Sequence, residues 1–105
     1  MDLSALQAQL RQFADERDWH AFHTPKNLST ALMVEAAELA EIFQWMTPEQ
    51  SDAASSDPAT REHIGEEMAD VLLYLVQMAM RTGIDLNAAV QDKLAKNAAK
   101  YPPPG

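Results

Sequence analysis

Cysteine is absent from this 105-residue chain, so disulfide staples, thiolate nucleophiles and zinc–thiolate sites are excluded. Glycine is scarce. Gly65, Gly83 and Gly105 are the only three, too few for a phosphate-cradling Walker loop or a dinucleotide-binding glycine fingerprint. Basic residues number 8 against 16 acidic ones, and the formal charge of −8 repels polyanionic nucleic acid and anionic membrane surfaces. A small phosphate ester stays eligible, because a bound cation reverses the local sign. No apolar run approaches the ~18 residues of a membrane span, and Met1-Asp2-Leu3 opens neither a basic nor an apolar leader segment. The expectation is a cytoplasmic protein with neither a membrane nor a polymeric nucleic acid as partner.

Strand alternation is also nearly missing, and helical spacing takes its place. With 47% hydrophobic and 23% charged residues the balance is that of a globular domain, and the length suits one domain over residues 1–105. The pattern predicts an all-α, four-helix protomer. The first helix runs from about Asp2 to Arg17, with Leu3, Leu6, Leu10 and Phe13 on one face. A loop from Asp18 to Lys26 holds Trp19, His20, Phe22 and His23, an unusual aromatic density for a connector. The second helix starts near Asn27 as N-cap and reaches Trp45, with a seam of Leu28, Leu32, Glu35, Leu39, Ile42 and Met46. Thr47 to Pro58 reads as an exposed connection and as the expected site of mobility. A third helix spans Ala59 to Thr82, closed by Gly83, and a fourth spans Asp85 to Ala99 before Tyr101-Pro-Pro-Pro-Gly ends it. Residues Val71 to Met80 are apolar almost all round, which predicts burial on every side. One short chain cannot surround such a helix, so the bundle is expected to be completed by oligomerisation.

Into these apolar helices the sequence places four acids in two copies of one spacing, Glu35-x-x-Glu38 and Glu67-x-x-Asp70. Three residues apart on a helix, each pair projects from one side with Cβ atoms roughly 5–6 Å apart. No Lys or Arg stands three or four positions from Glu35, Glu38 or Asp70, and a buried unpaired carboxylate costs several kcal/mol. A hard divalent cation is the economical partner. Oxygen-only ligands suit Mg²⁺, or Mn²⁺ in its place, and the Glu-x-x-His pairs of di-iron bundles are absent. Glu41, Glu49 and Glu62 read instead as ordinary solvated helix residues.

Without glycine-rich loops, phosphate recognition falls to the metal and to side-chain cations, the candidates being Lys26, Arg81, Lys93, Lys96 and Lys100, with Asn97 among the last three. A Lys-rich final turn also serves simply to complement the helix dipole. Trp19, Phe22, Phe43, Trp45 and Tyr74 are able to stack on a base or to fill a core. His20 and His23 have the spacing of a metal pair, but in this setting local hydrogen bonding or pocket lining is the better reading.

The stretches Glu16 to Leu28, Glu35 to Trp45, Glu66 to Tyr74 and Lys96 to Pro102 together resemble the MazG-like all-α nucleoside triphosphate pyrophosphohydrolases, closest to their dCTP pyrophosphatase branch. The resemblance covers nearly the whole chain. It implies that Glu35, Glu38, Glu67 and Asp70 are Mg²⁺ ligands and that Trp19, His23 and Trp45 border a base pocket. It also implies that Tyr74, Arg81, Lys93 and Asn97 meet the sugar or phosphates. Lys26, Asn27, Lys100 and Tyr101, within or beside the same motifs, complete the substrate-binding candidates. The implied assembly is a homotetramer built from tight dimers.

The expected reaction is Mg²⁺-dependent hydrolysis of a nucleoside triphosphate, such as dCTP or a 5-modified form, to the monophosphate and pyrophosphate in nucleotide-pool cleansing. Glu38 or Glu41 would orient or deprotonate the attacking water. Two other functions fit the same residues: a non-catalytic helical module stabilised by metal, and a pyrophosphohydrolase for another nucleotide.

Overall fold

A computed structural model describes residues 1–105, and its chain is helical throughout, with no strand. Helix α1 (Leu3–Arg17) begins where the Asp2 carboxylate accepts the Ala5 N–H at 3.2 Å. It ends with Asp18 in the left-handed region (φ 54°), where the Asp18 and Trp19 N–H groups return to the Asp15 and Ala14 carbonyls. A 3₁₀ turn, His20–Phe22, follows. The N-cap of helix α2 (Pro25–Phe43) lies three residues earlier than the sequence predicts. Pro25 has a φ already suited to the first helical position, and Thr24 is the N-cap, its hydroxyl accepting the Asn27 N–H at 3.3 Å. Asn27 is thus inside the helix, and its side-chain amide donates to the Phe22 carbonyl at 3.0 Å, tying the aromatic loop to α2.

The connection after α2 is largely exposed, as its composition predicts, but it is helical where an irregular segment was expected. Residues Pro48–Ala53 form a short helix, α3, followed by a 3₁₀ turn over Ala54–Ser56, so the protomer has five helices and not four. A capping box creates α3: the Thr47 hydroxyl accepts the Gln50 N–H at 3.1 Å, and the Gln50 side chain accepts the Thr47 N–H at 3.0 Å. Helix α4 (Pro58–Thr82) is capped by Asp57, which accepts from both the N–H and the hydroxyl of Thr60. It closes in a Schellman turn at Gly83 (φ 70°), where Ile84 N–H reaches the Ala79 carbonyl at 3.0 Å. Helix α5 (Leu86–Lys100) is capped by Asp85.

The principal packing is α2 against α4, with α1 laid on α4 beside it, and the four fully buried residues, Ala14, Leu28, Val76 and Ala79, mark that junction. Every member of the α2 seam, from Leu28 to Met46, is at least partly buried. Helix α5 has no extensive packing partner, and its Val90 and Leu94 are exposed. Burial of the apolar stretch of α4 is correspondingly incomplete. Val76 and Ala79 are enclosed, but Leu75 and, just upstream, Met68 face out. No helix is long and apolar enough to cross a membrane.

Candidate functional site

The α2–α4 contact brings the two acidic pairs together. Carboxylate oxygens of Glu35, Glu38 and Glu67 lie within 4.8 Å of one another. Asp70 stands one helical turn further along α4, close enough for its charge to act on Glu35. Glu35 suffers most. Burial first, then the neighbouring carboxylates of Glu38, Asp70 and Glu67, push its pKa from the ordinary 4.5 up to about 7. One oxygen each of Glu35 and Glu67 is buried with no hydrogen-bond partner. No Lys or Arg pairs with any of the four acids; the one basic side chain beside them is the His63 imidazole, 3.4 Å from Glu67. Orphaned, hard, crowded oxygens are the donor set that a small divalent cation satisfies, and these residues fit one.

The cluster sits between two cavities. On one side, a solvent-open cavity of about 370 Å³ is lined by Leu10 and Phe13 of α1, Trp19 and His23 of the loop, and Asp70, Tyr74 and Gln77 of α4. That volume is in the range of small-molecule sites, and its walls are mainly apolar with a few convergent polar groups. Its aromatic wall is ordered edge to face: Phe13 and Trp19 have ring centroids 5.4 Å apart, and Trp19 and His23 6.2 Å apart. Arg81 holds the loop in place by donating to the His20 carbonyl at 3.1 Å. Burial, and then His20 and Arg81, lower the His23 pKa, so its imidazole is neutral near pH 7. On the other side a wider, more polar hollow is bordered by Glu38, Glu41, Thr60, His63 and Glu67.

Trp19, His23 and Tyr74 therefore share one cavity with Asp70, and Glu41 shares the other with Glu38 and Glu67. Arg81 borders a smaller hollow next to the aromatic cavity. The remaining candidates are not gathered within the protomer. Trp45 is 88% exposed, and neither it nor Lys26, Asn27, Lys93, Asn97, Lys100 or Tyr101 lines any cavity. Lys96 pairs with Asp92 at 2.7 Å on the surface of α5.

Three contributors escape the sequence reading. His63 was legible as the residue one turn before Glu67, at the i, i+4 spacing that lets side chains meet. Gln77 continues the face of Asp70 and Tyr74 on α4. Phe13 has the spacing of a core residue yet forms a cavity wall, with the Arg17 guanidinium 3.5 Å over its ring.

Comparison with known proteins agrees with this geometry. The MazG-like family profile matches residues 30–104. Over 91 residues, 87% of this chain, the sequence is 46% identical to dCTP pyrophosphatase 1 of Homo sapiens and 45% identical to that of Bos taurus. The chain spans about half the length of those relatives, 54% in each case. A crystal structure of a pyrophosphatase from Archaeoglobus fulgidus superimposes with a TM-score of 0.89 at 39% identity, covering 95% of this chain and 92% of the other. Helical architecture, acid-pair spacing and sequence identity converge, and the chain belongs to the MazG-like family.

Proposed function

We propose that this protein hydrolyses a deoxynucleoside triphosphate, a pyrimidine such as dCTP, to the monophosphate and pyrophosphate, with Mg²⁺ as cofactor. The observation that carries the reading is the acid cluster of Glu35, Glu38 and Glu67 with Asp70 beside it, its oxygens orphaned, next to an aromatic cavity of about 370 Å³. The relatives named dCTP pyrophosphatase 1 support the substrate class.

Glu35, Glu38, Glu67 and Asp70 would hold the cation, which when bound neutralises charge on the phosphate oxygens and acidifies water. Trp19 and Tyr74 receive the base in the aromatic cavity, with His23 at its edge, while Asp70 faces the phosphate end. Glu38, or Glu41 beside it in the polar hollow, orients a water and takes its proton as the water oxygen bonds to phosphorus. The α–β phosphoanhydride bond breaks and pyrophosphate leaves. No side chain of this protein is bonded covalently to substrate at any stage.

The active form is a homo-oligomer, a tetramer of paired dimers, in which partner subunits bring Trp45, the α5 residues Lys93, Asn97 and Lys100, and Tyr101 just beyond α5 to the base and phosphates. Exposure of Trp45 and the unpacked state of α5 support this. The Asn27–Phe22 hydrogen bond ties the start of α2 to the aromatic loop, which supports a role in substrate binding for Lys26 and Asn27. The biological reading is cytoplasmic cleansing of the nucleotide pool by a single-domain enzyme.

A pyrophosphate-release screen over deoxynucleoside and ribonucleoside triphosphates with Mg²⁺ tests the proposal. We expect the highest kcat/KM on a pyrimidine deoxynucleotide, and a loss of at least about 100-fold in Glu38→Gln and Asp70→Asn variants that remain folded. Parental rates in those variants would refute the site. A melting temperature raised by Mg²⁺ and indifferent to every nucleotide would identify a structural metal module instead.

A further inference from the structure

Beside the aromatic cavity, and sharing His23 and Gln77 with it, lies a second hollow of about 200 Å³ lined by Arg11, Asp15, His20 and Arg81. Its charge runs against that of the whole molecule. Among 16 acidic residues, none pairs with Arg11 or Arg81. Asp15, the one acid in the hollow, is engaged by His20. Arg81 spends one N–H on the His20 carbonyl, leaving most of its five donors free, and Arg11 makes no hydrogen bond. Two guanidinium groups thus face a small space that contains no free anion of the protein's own.

The position of this hollow along α4 suggests what fills it. Asp70, Tyr74, Gln77 and Arg81 follow one another at steps of four, three and four, a single stripe on one helical face about 16 Å long. Asp70 belongs to the cation end, Tyr74 to the aromatic cavity, Gln77 to the wall shared by both cavities, and Arg81 to the hollow beyond. A nucleotide with its phosphates toward Asp70 and its ring between Trp19 and Tyr74 presents the ring edge remote from the sugar to His23 and Gln77. On a pyrimidine that edge carries C4 and C5.

We propose that the Arg11–Arg81 hollow is a subsite for an oxyanion carried on the base, a carboxylate at C5 being the simplest, so that the protein favours acidic base derivatives over neutral ones. The inference rests on the aromatic cavity being the base site. A methyl group there would leave both guanidiniums without an anionic partner, whereas a carboxylate accepts charge-assisted hydrogen bonds from them. The side-chain amide of Gln77, free of any internal hydrogen bond, stands where it would read the neighbouring ring substituent.

Calorimetric titration of the full chain in EDTA with 5-carboxy-dCMP and 5-methyl-dCMP measures the preference without turnover. The expected result is about tenfold tighter binding of the carboxy compound, erased in Arg11→Gln, partly kept in Arg11→Lys, with 5-methyl-dCMP affinity unchanged in both. Equal affinities in the parent, or a preference that survives Arg11→Gln, would overturn the subsite. Inorganic phosphate that binds alongside 5-methyl-dCMP in an Arg11-dependent way, without any carboxylate preference, would make the hollow a free-anion site and also overturn it. Turnover of dCTP with Mg²⁺ by the same preparation separates the two readings. Turnover without a carboxylate preference refutes the subsite alone, whereas neither turnover nor monophosphate binding removes the base site and the subsite together.

Discussion

Glu35 is where the chemistry and the stability of this protein meet. Its carboxyl is held near pKa 7 by burial and by three neighbouring acids, against an ordinary 4.5. Between those values the folded protein binds more protons than the unfolded chain, so stability without metal falls as pH rises from about 4.5 to about 7. Thermal denaturation in EDTA should show that decline, and Glu35→Gln should flatten it and melt higher than the parent at pH 8. With saturating Mg²⁺ the order should reverse, since the parent alone retains the full ligand set. A parent protein whose metal-free stability does not change across that pH window would mean that the acids are not crowded in solution. This cluster was legible in the sequence because carboxylates without nearby cations on an apolar helix demand a partner. The Arg11–Arg81 hollow was not, because it joins residues of α1, the loop and α4 that no local spacing relates.

At the scale of elements, caps decide where helices begin and end. Two helices close with a residue in the left-handed region, Asp18 after α1 and Gly83 after α4. Only glycine adopts that conformation without a steric penalty, so Gly83→Ala should cost about 1 kcal/mol and Asp18→Gly should add roughly 0.5–1 kcal/mol, read by urea denaturation. Equal effects of the same sign would contradict this account of the turns. The long helices were readable from apolar periodicity, and the α2 seam falls where its spacing places it. The start of α2 and the whole of α3 depended on side-chain-to-backbone hydrogen bonds from Thr24, Thr47 and Gln50, and such short-range capping leaves no periodic trace. A run rich in Ser, Asp and Ala, read as an exposed connection, is thereby helical as well as exposed.

As a whole molecule the chain is open and extended for its length. Its radius of gyration is 16.8 Å, against about 13 Å for a compact chain of this length. Its accessible surface is 7797 Å², against about 5,800 Å² for a monomer of this mass. The excess is larger than the roughly 800 Å² that a standard interface removes from each partner, and the outward apolar residues of α4 and α5 are its natural location. Sedimentation equilibrium should show an oligomer that a Val90→Asp, Leu94→Asp double variant dissociates; a parent chain running at 11.6 kDa would contradict that assembly. Cation affinity at the four acids is the most direct measure of what the cluster does. Calorimetric titration with Mg²⁺ should show binding that tightens when a non-hydrolysable dCTP analogue is present and weakens at least about tenfold in Glu67→Gln. Mg²⁺ binding unaffected by both the analogue and the substitution would place the cation elsewhere and remove the basis of the proposed reaction.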